Sequence, residues 1–156
     1  MAGGSLRHNA LCSRVNAALH AGFGVSCTVL TSDQRVGVAG GERYVNPDLS
    51  VVSGAAQLEP GTKDVLLNPK VLIEVLSSST EQYDRGLKWE GYQRIPSLVD
   101  YVLVSQSAPR IEHFRRDVDG SWLYRSVGAG ERLALASGAT LDVDALFAGV
   151  LELPGE

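Results

Sequence analysis

At 156 residues, with a formal net charge of −4 and 44% hydrophobic residues, the chain is long enough to bury a core without disulfide or metal staples. The acidic balance excludes a protein that coats nucleic acid non-specifically, which takes a global basic footprint. No apolar run approaches the ~20 residues of a membrane span, and Met1-Ala-Gly-Gly-Ser5 has neither the basic nor the apolar region of a secretory signal. The expectation is a single domain over residues 1–156, off the membrane and in the cytoplasm.

In chain order, the first predicted element is a helix over about Leu6 to Ala21. Leu11, Val15, Ala18 and Leu19 recur at helical spacing, and Gly22 and Gly24 punctuate its end. His8 and His20 flank this helix and are read as surface or half-buried side chains without a partner at ligand spacing. Cys12 and Cys27 have no C-x-x-C spacing, and no histidine is read at ligand spacing from them. They are expected to be reduced, buried thiols, and no structural zinc is expected. Two strands follow, Val25 to Val36 and Tyr44 to Val52, joined as a hairpin by the Gly-rich segment Gly37 to Glu42, which fits no phosphate-loop fingerprint. Pro47 cannot donate to a ladder, so Asp48 is placed where strand pairing becomes irregular. Ser53 to Leu67, with Gly54 and Pro60-Gly61, reads as an exposed loop.

The stretch Val71 to Leu76 is β-branched and apolar apart from Glu74, the pattern of a strand covered on both faces. A carboxylate there is costly unless paired or bound to a metal. Ser78-x-x-Glu81 is a capping-box signature, which predicts a helix from near Ser79 until Pro96 stops it. The run Ser77 to Thr80 is then a cap rather than a nucleophile, since no G-x-S-x-G surrounds it. At about 100° per residue, Leu87, Gly91, Tyr92 and Ile95 share one arc, while Gln82, Arg85, Trp89, Glu90 and Gln93 take the other. Trp89 is therefore predicted exposed, as part of a partner surface. Asp84 and Lys88 fall within the apolar arc and point at Glu74, either as a buried ion pair or as the working part of a site.

Leu98 to Ser105 is a further buried strand. Arg110 to Asp117 and Ser121 to Val127 form a hairpin about Asp117-Val-Asp-Gly120, with Arg110, Arg115 and Arg116 on a solvated face. Leu133 to Ala136, a turn at Gly138 and a short helix over Val143 to Ala148 capped by Asp142 close the chain. The class is α/β, a mixed β-sheet flanked by helices.

Pro47-Asp48, the Glu74 strand with Ser-Ser-Ser-Thr after it, Asp84-Arg-Gly-Leu-Lys88, Tyr92 and Ile95-Pro-Ser-Leu-Val-Asp-Tyr-Val-Leu-Val104 together resemble the Uma-two family, of the PD-(D/E)XK restriction-endonuclease-like superfamily. The resemblance runs from the His8 helix to the hairpin near Trp122. It implies a restriction-endonuclease-like α/β/α core and metal-dependent hydrolysis of the phosphodiester bonds of nucleic acid, with DNA as one candidate partner and the choice between DNA and RNA open, and a homodimeric assembly. It implies that Asp48, Glu74 and the carbonyl of Val75 hold Mg²⁺ or Mn²⁺. Lys88 would position a water or stabilise developing charge, Asp84 would orient Lys88, and Tyr92 would bond a phosphate oxygen or the lysine. Two departures stand out. The family's extra N-terminal hairpin is absent, which leaves a sheet edge open. Leu76 also occupies the superfamily's lysine position, so Lys88 is the migrated candidate.

Two other readings remain. One is a non-catalytic homodimeric binding or scaffold module in which Glu74 and Lys88 are a structural pair. The other is a hydrolase of a different phosphate ester. Two opposed acids also imply that Asp48→Ala stabilises the metal-free protein by relieving repulsion.

Overall fold

The computed structural model describes residues 4–38 and 42–156. In chain order, α1 (Leu6–Phe23) is followed by β1 (Cys27–Leu30), β2 (Arg35–Val38), β3 (Arg43–Val45), β4 (Leu49–Ser53), β5 (Val65–Leu66) and β6 (Val71–Val75). The short helices α2 (Glu81–Arg85) and α3 (Leu87–Tyr92) lead to β7 (Asp100–Val104), β8 (Arg110–Arg116), β9 (Trp122–Gly128), β10 (Arg132–Ala134), β11 (Thr140–Asp142) and α4 (Val143–Phe147).

Six strands form the main sheet in the order β1-β4-β6-β7-β8-β9. Only β6 and β7 run parallel in it, joined by the crossover through α2 and α3. The other neighbours pair antiparallel. β6 lies inside the sheet and every residue in it is buried, so its alternating side chains must satisfy two interiors at once. Val71, Ile73 and Val75 join the cluster under α1, with Leu11, Val15, Leu19 and Phe23 from the helix and Leu133, Leu141, Val143 and Leu146 from the β10-β11 hairpin and α4. Leu72 joins the opposite cluster, with Val36, Val38 and Val45 of the small β3-β2-β5 sheet and with Tyr92, Leu98 and Tyr101. Each such Leu, Val or Ile contributes about 1.5–3 kcal/mol by leaving water. Glu74 has the parity of Leu72 and faces this second interior.

Local chemistry accounts for the element ends. The Ser5 hydroxyl accepts from the His8 N–H at 3.1 Å to start α1, and Gly24, at φ 57°, ends it by bonding back to the His20 carbonyl. Asp142 caps α4 through the Ala145 N–H. Gly120, at φ 86°, turns the β8-β9 hairpin.

Several expectations are corrected. The stretches read as the strands Val25 to Val36 and Tyr44 to Val52 each split between the two sheets: β1 and β4 pair in the main sheet, and β2 and β3 in the small one. The breaks fall at Thr31–Gln34 and at Asn46-Pro47-Asp48, where Pro47 interrupts the ladder as its missing N–H requires. Within the predicted Gly37–Glu42 turn, residues 39–41 lie outside the described residues. The supposed loop Ser53 to Leu67 ends in β5, a buried pair of residues running parallel to β2. The single helix up to Pro96 is two, broken at Gly86, whose φ −103° and ψ −96° leave the helical region. The capping box does not form, because the Ser78 hydroxyl donates to Glu156 and Glu81 accepts from Arg85. The break also rotates α3, so the arcs drawn through one continuous helix misplace two side chains. Leu87 is exposed, while Trp89 is half-buried and packed on Tyr101, Phe114 and Trp122 with ring centroids 5.2, 4.4 and 4.8 Å away. Such aromatic pairs are worth about 0.5–1.5 kcal/mol each beyond their buried area.

Candidate active site

The register of β4 against β6 brings the two predicted acids together. Leu49 lies opposite Ile73, so one step further Asp48 lies opposite Glu74, at the start of one strand and the end of the other. Two backbone contacts fix this arrangement. The Val75 N–H donates to Asp48 Oδ2 at 2.7 Å, and the Asp48 N–H faces Glu74 Oε2 at 3.4 Å.

Lys88 reaches the same point from α3. Its Nζ lies 3.0 Å from Glu74 Oε1 and 2.9 Å from Asp84 Oδ1, and both carboxylates are sealed from solvent. Asp84 is held in turn by the Thr80 hydroxyl, which donates to Oδ2 at 3.0 Å. The Tyr101 hydroxyl donates to the Asp84 carbonyl at 2.9 Å and ties α2 to β7. Tyr92 is fully buried and its hydroxyl donates to Glu74 Oε1 at 3.1 Å. In this structure it orients the glutamate and bonds neither the lysine nor anything in solvent. The four residues singled out from the sequence, Asp48, Glu74, Lys88 and Tyr92, therefore converge, with the Val75 backbone beside them.

The electrostatics are those of an acid-rich pocket. Burial pushes the Glu74 carboxyl up to about 8, opposed by Lys88 and reinforced by Asp84 and Asp48. Burial pulls the Lys88 ammonium down, but Glu74 and then Asp84 more than offset it, so the lysine sits above its ordinary value and stays charged.

His8 was not expected here. Its Nε2 lies 3.3 Å from Asp48 Oδ2 and its Nδ1 3.8 Å from Cys12 Sγ, and the hydrogen bond to Asp48, then that to Cys12, raises the imidazole to about 10. The reading of His8 as partnerless, and of the cysteines as lacking a histidine at ligand spacing, is corrected. Residues 8 and 12 are four apart on a helix and hence neighbours on one face. That spacing was the available signal. His20 is exposed, as read.

A cavity of about 370 Å³ lies elsewhere, beyond the carboxyl ends of β6 and β7, and none of Asp48, Glu74 and Lys88 lines it. Its wall includes Glu112, which is buried. Glu112 accepts from both terminal nitrogens of Arg85 and from the Tyr124 hydroxyl. Burial pushes this carboxyl up, but those donors prevail and hold it below its ordinary value. A depressed folded value means stability that is present above about pH 4.5 and is lost as the pH falls through the folded value. Glu112→Gln is therefore expected to flatten the acid limb of a thermal-unfolding series, and an unchanged limb would remove Glu112 from the account.

An α/β core with a central parallel pair, a helical crossover and acids at adjoining strand ends defines a restriction-endonuclease-like protein. The fold agrees with that of a solved structure from Anabaena variabilis described as "a putative nuclease belonging to DUF820". The TM-score is 0.75 at 17% identity, over 97% of this chain and 84% of that one. The model of the Uma2 family, described as "Putative restriction endonuclease", matches residues 1–152, and the chain belongs to that family. Two uncharacterized proteins of Synechocystis sp. are similar over most of their length. The protein slr1290 is 33% identical over 153 residues, covering 96% of this chain and 79% of its own. The protein sll1609 is 32% identical over 124 residues, covering 79% and 70%.

Proposed function

We propose that the chain is a metal-dependent nuclease that hydrolyses phosphodiester bonds, with Asp48, Glu74 and the carbonyl of Val75 holding Mg²⁺ or Mn²⁺. The observation that carries this reading is the placement of Asp48 opposite Glu74 with Lys88 on the glutamate. The donor set fits a hard cation. Among the described residues no hydrogen bond reaches Asp48 Oδ1, and Glu74 Oε2 has only the 3.4 Å contact with the Asp48 N–H. Each acid thus keeps an oxygen for a metal. The upward push on Glu74 marks negative charge that a cation would neutralise.

When bound, the ion supplies charge neutralisation at the phosphate and a more acidic water. The chain's own residues do the rest. Asp84 anchors Lys88, whose ammonium is positioned to hold a water or to stabilise charge developing on a phosphate oxygen. Tyr92 fixes the Glu74 rotamer from beneath. Supercoiled plasmid DNA tests the reading. Nicking with Mg²⁺ or Mn²⁺ and none in EDTA is expected, and failure to cut DNA or RNA with either ion would overturn it.

The closed contact of Lys88 and Tyr92 with Glu74 Oε1 favours, as the second reading, a scaffold that keeps the fold without catalysis. Either form is proposed to act in the cytoplasm as a homodimer. Among the described residues no helix is long and apolar enough to cross a membrane. With Trp89 covered, the support for a dimer moves to β9, the outer strand of the main sheet, where Leu123 and Tyr124 are exposed. Light scattering is expected to give twice the chain mass, and a monomer at high concentration would count against it.

A further inference from the structure

α1 carries a second set of ligating side chains that phosphodiester cleavage does not use. His8, Cys12 and Asn16 recur at every fourth residue along one face of α1. They line a cavity of about 270 Å³ that is completed by Asp48, Thr31 and Ser32. One ligand atom from each of His8, Cys12 and Asp48 lies within 4.8 Å of the others, and all three residues are partly buried. Asn16 Oδ1, in the same wall, is buried without a hydrogen-bond partner.

We propose that His8, Cys12 and Asp48 form a transition-metal site of the zinc class, distinct from the Glu74 pair and sharing Asp48 with it. The donor set decides the class of ion. An imidazole nitrogen, a thiolate and a carboxylate suit Zn²⁺ or Co²⁺, whereas Mg²⁺ takes oxygen ligands and is discriminated against by the sulfur. Bonds of about 2.0–2.3 Å to a tetrahedral ion set ligand atoms roughly 3.3–3.8 Å apart. The His8–Asp48 and His8–Cys12 contacts, at 3.3 and 3.8 Å, are already that close, though through different ring nitrogens. A single nitrogen serves the ion, so side-chain rotation must close the remaining ~1 Å of the spread. Three protein ligands leave a fourth position open to the cavity, where a water completes the shell. Binding releases to solvent the Cys12 thiol proton and the imidazole proton that His8 shares with Asp48.

The site stands whether or not the chain cuts nucleic acid, and the test separates the two. Co²⁺ titrated into the reduced, metal-stripped full chain is expected to give a thiolate-to-cobalt charge-transfer band in the near ultraviolet that saturates at one thiolate-bound Co²⁺ per chain. The band should be lost in Cys12→Ser and His8→Ala, kept in Cys27→Ser and Glu74→Gln, abolished by Zn²⁺ and unaffected by excess Mg²⁺. Wild-type protein gives a second readout that needs no variant to fold. Alkylation of Cys12 by iodoacetamide, located by mass spectrometry, should slow with Zn²⁺ and not with Mg²⁺. No band in wild type, a band that survives Cys12→Ser or requires Glu74, or alkylation indifferent to Zn²⁺ would each overturn the proposal. Plasmid cleavage by the same preparations reads the nuclease separately: a chain that binds Co²⁺ in this way and cuts nothing keeps this site and loses that function.

Discussion

Lys88→Met is expected to destabilise the metal-free protein by about 3–5 kcal/mol, the cost of leaving a buried charge unpaired, and to abolish cleavage. Lys88 bridges two carboxylates, Glu74 at 3.0 Å and Asp84 at 2.9 Å, both sealed from water. Its removal leaves both without their shared cation. Part of the loss should return with Mg²⁺, which neutralises Glu74 from the Asp48 side but leaves Asp84 unpaired. Urea unfolding in EDTA and in Mg²⁺, read beside the plasmid assay, checks this. A variant that recovers in Mg²⁺ and still nicks DNA would make Lys88 a structural residue, and one as stable as wild type in EDTA would mean that Lys88 compensates no buried charge.

Glu74→Gln is expected to act in the opposite direction on stability and in the same direction on function. The change removes one charge from a pocket where Asp48, Glu74 and Asp84 crowd together, while the amide oxygen can still accept from Lys88 and Tyr92. Burial holds the Glu74 carboxyl well above its ordinary value, so neutralising it is expected to stabilise the metal-free protein, on the order of 1 kcal/mol. Cleavage and any Mg²⁺-induced rise in Tm should both vanish. A variant that melts below wild type in EDTA, or still gains stability from Mg²⁺, would sink the assignment of Glu74 as a ligand. The companion expectation for Asp48→Ala changes sign. Asp48 is not merely repelled by Glu74: it accepts from the Val75 N–H at 2.7 Å and faces His8 at 3.3 Å. Removing it orphans a buried donor and an imidazole, so a lower Tm is expected.

The site was legible where one residue had to answer for itself within a strong local pattern. Glu74 interrupts an apolar strand, Pro47 interrupts a ladder, and Asp84 and Lys88 share one helical spacing, so these positions could be argued without any partner in view. What stayed hidden depended on contacts between distant segments. The alternation in Val25–Val36 and Tyr44–Val52 fits two long strands as well as four short ones divided between sheets, and only tertiary packing chooses. Gly86 gave a local warning, since glycine weakens a helix interior by about 1 kcal/mol, and the break there is what turned Leu87 outward and Trp89 inward. His8 and Cys12 were spaced for a shared helix face, but their approach to Asp48 depends on how α1 settles on the sheet.

The placement of Asp48 between the two sheets has a consequence for the order of events in folding. The chain passes from the small sheet to the main one at Asn46-Pro47-Asp48, and the carboxylate is fixed by the N–H of Val75, 27 residues away. Contacts that close such long loops incur their entropy cost before they yield any return, so they tend to form after local helices and hairpins. In kinetic terms Asp48 then belongs to the late, low-φ class of residue, whose replacement speeds unfolding and leaves the refolding rate nearly unchanged. The chain would thus assemble its α1 helix and its β8-β9 hairpin first, and acquire its acid pair only as the native state closes.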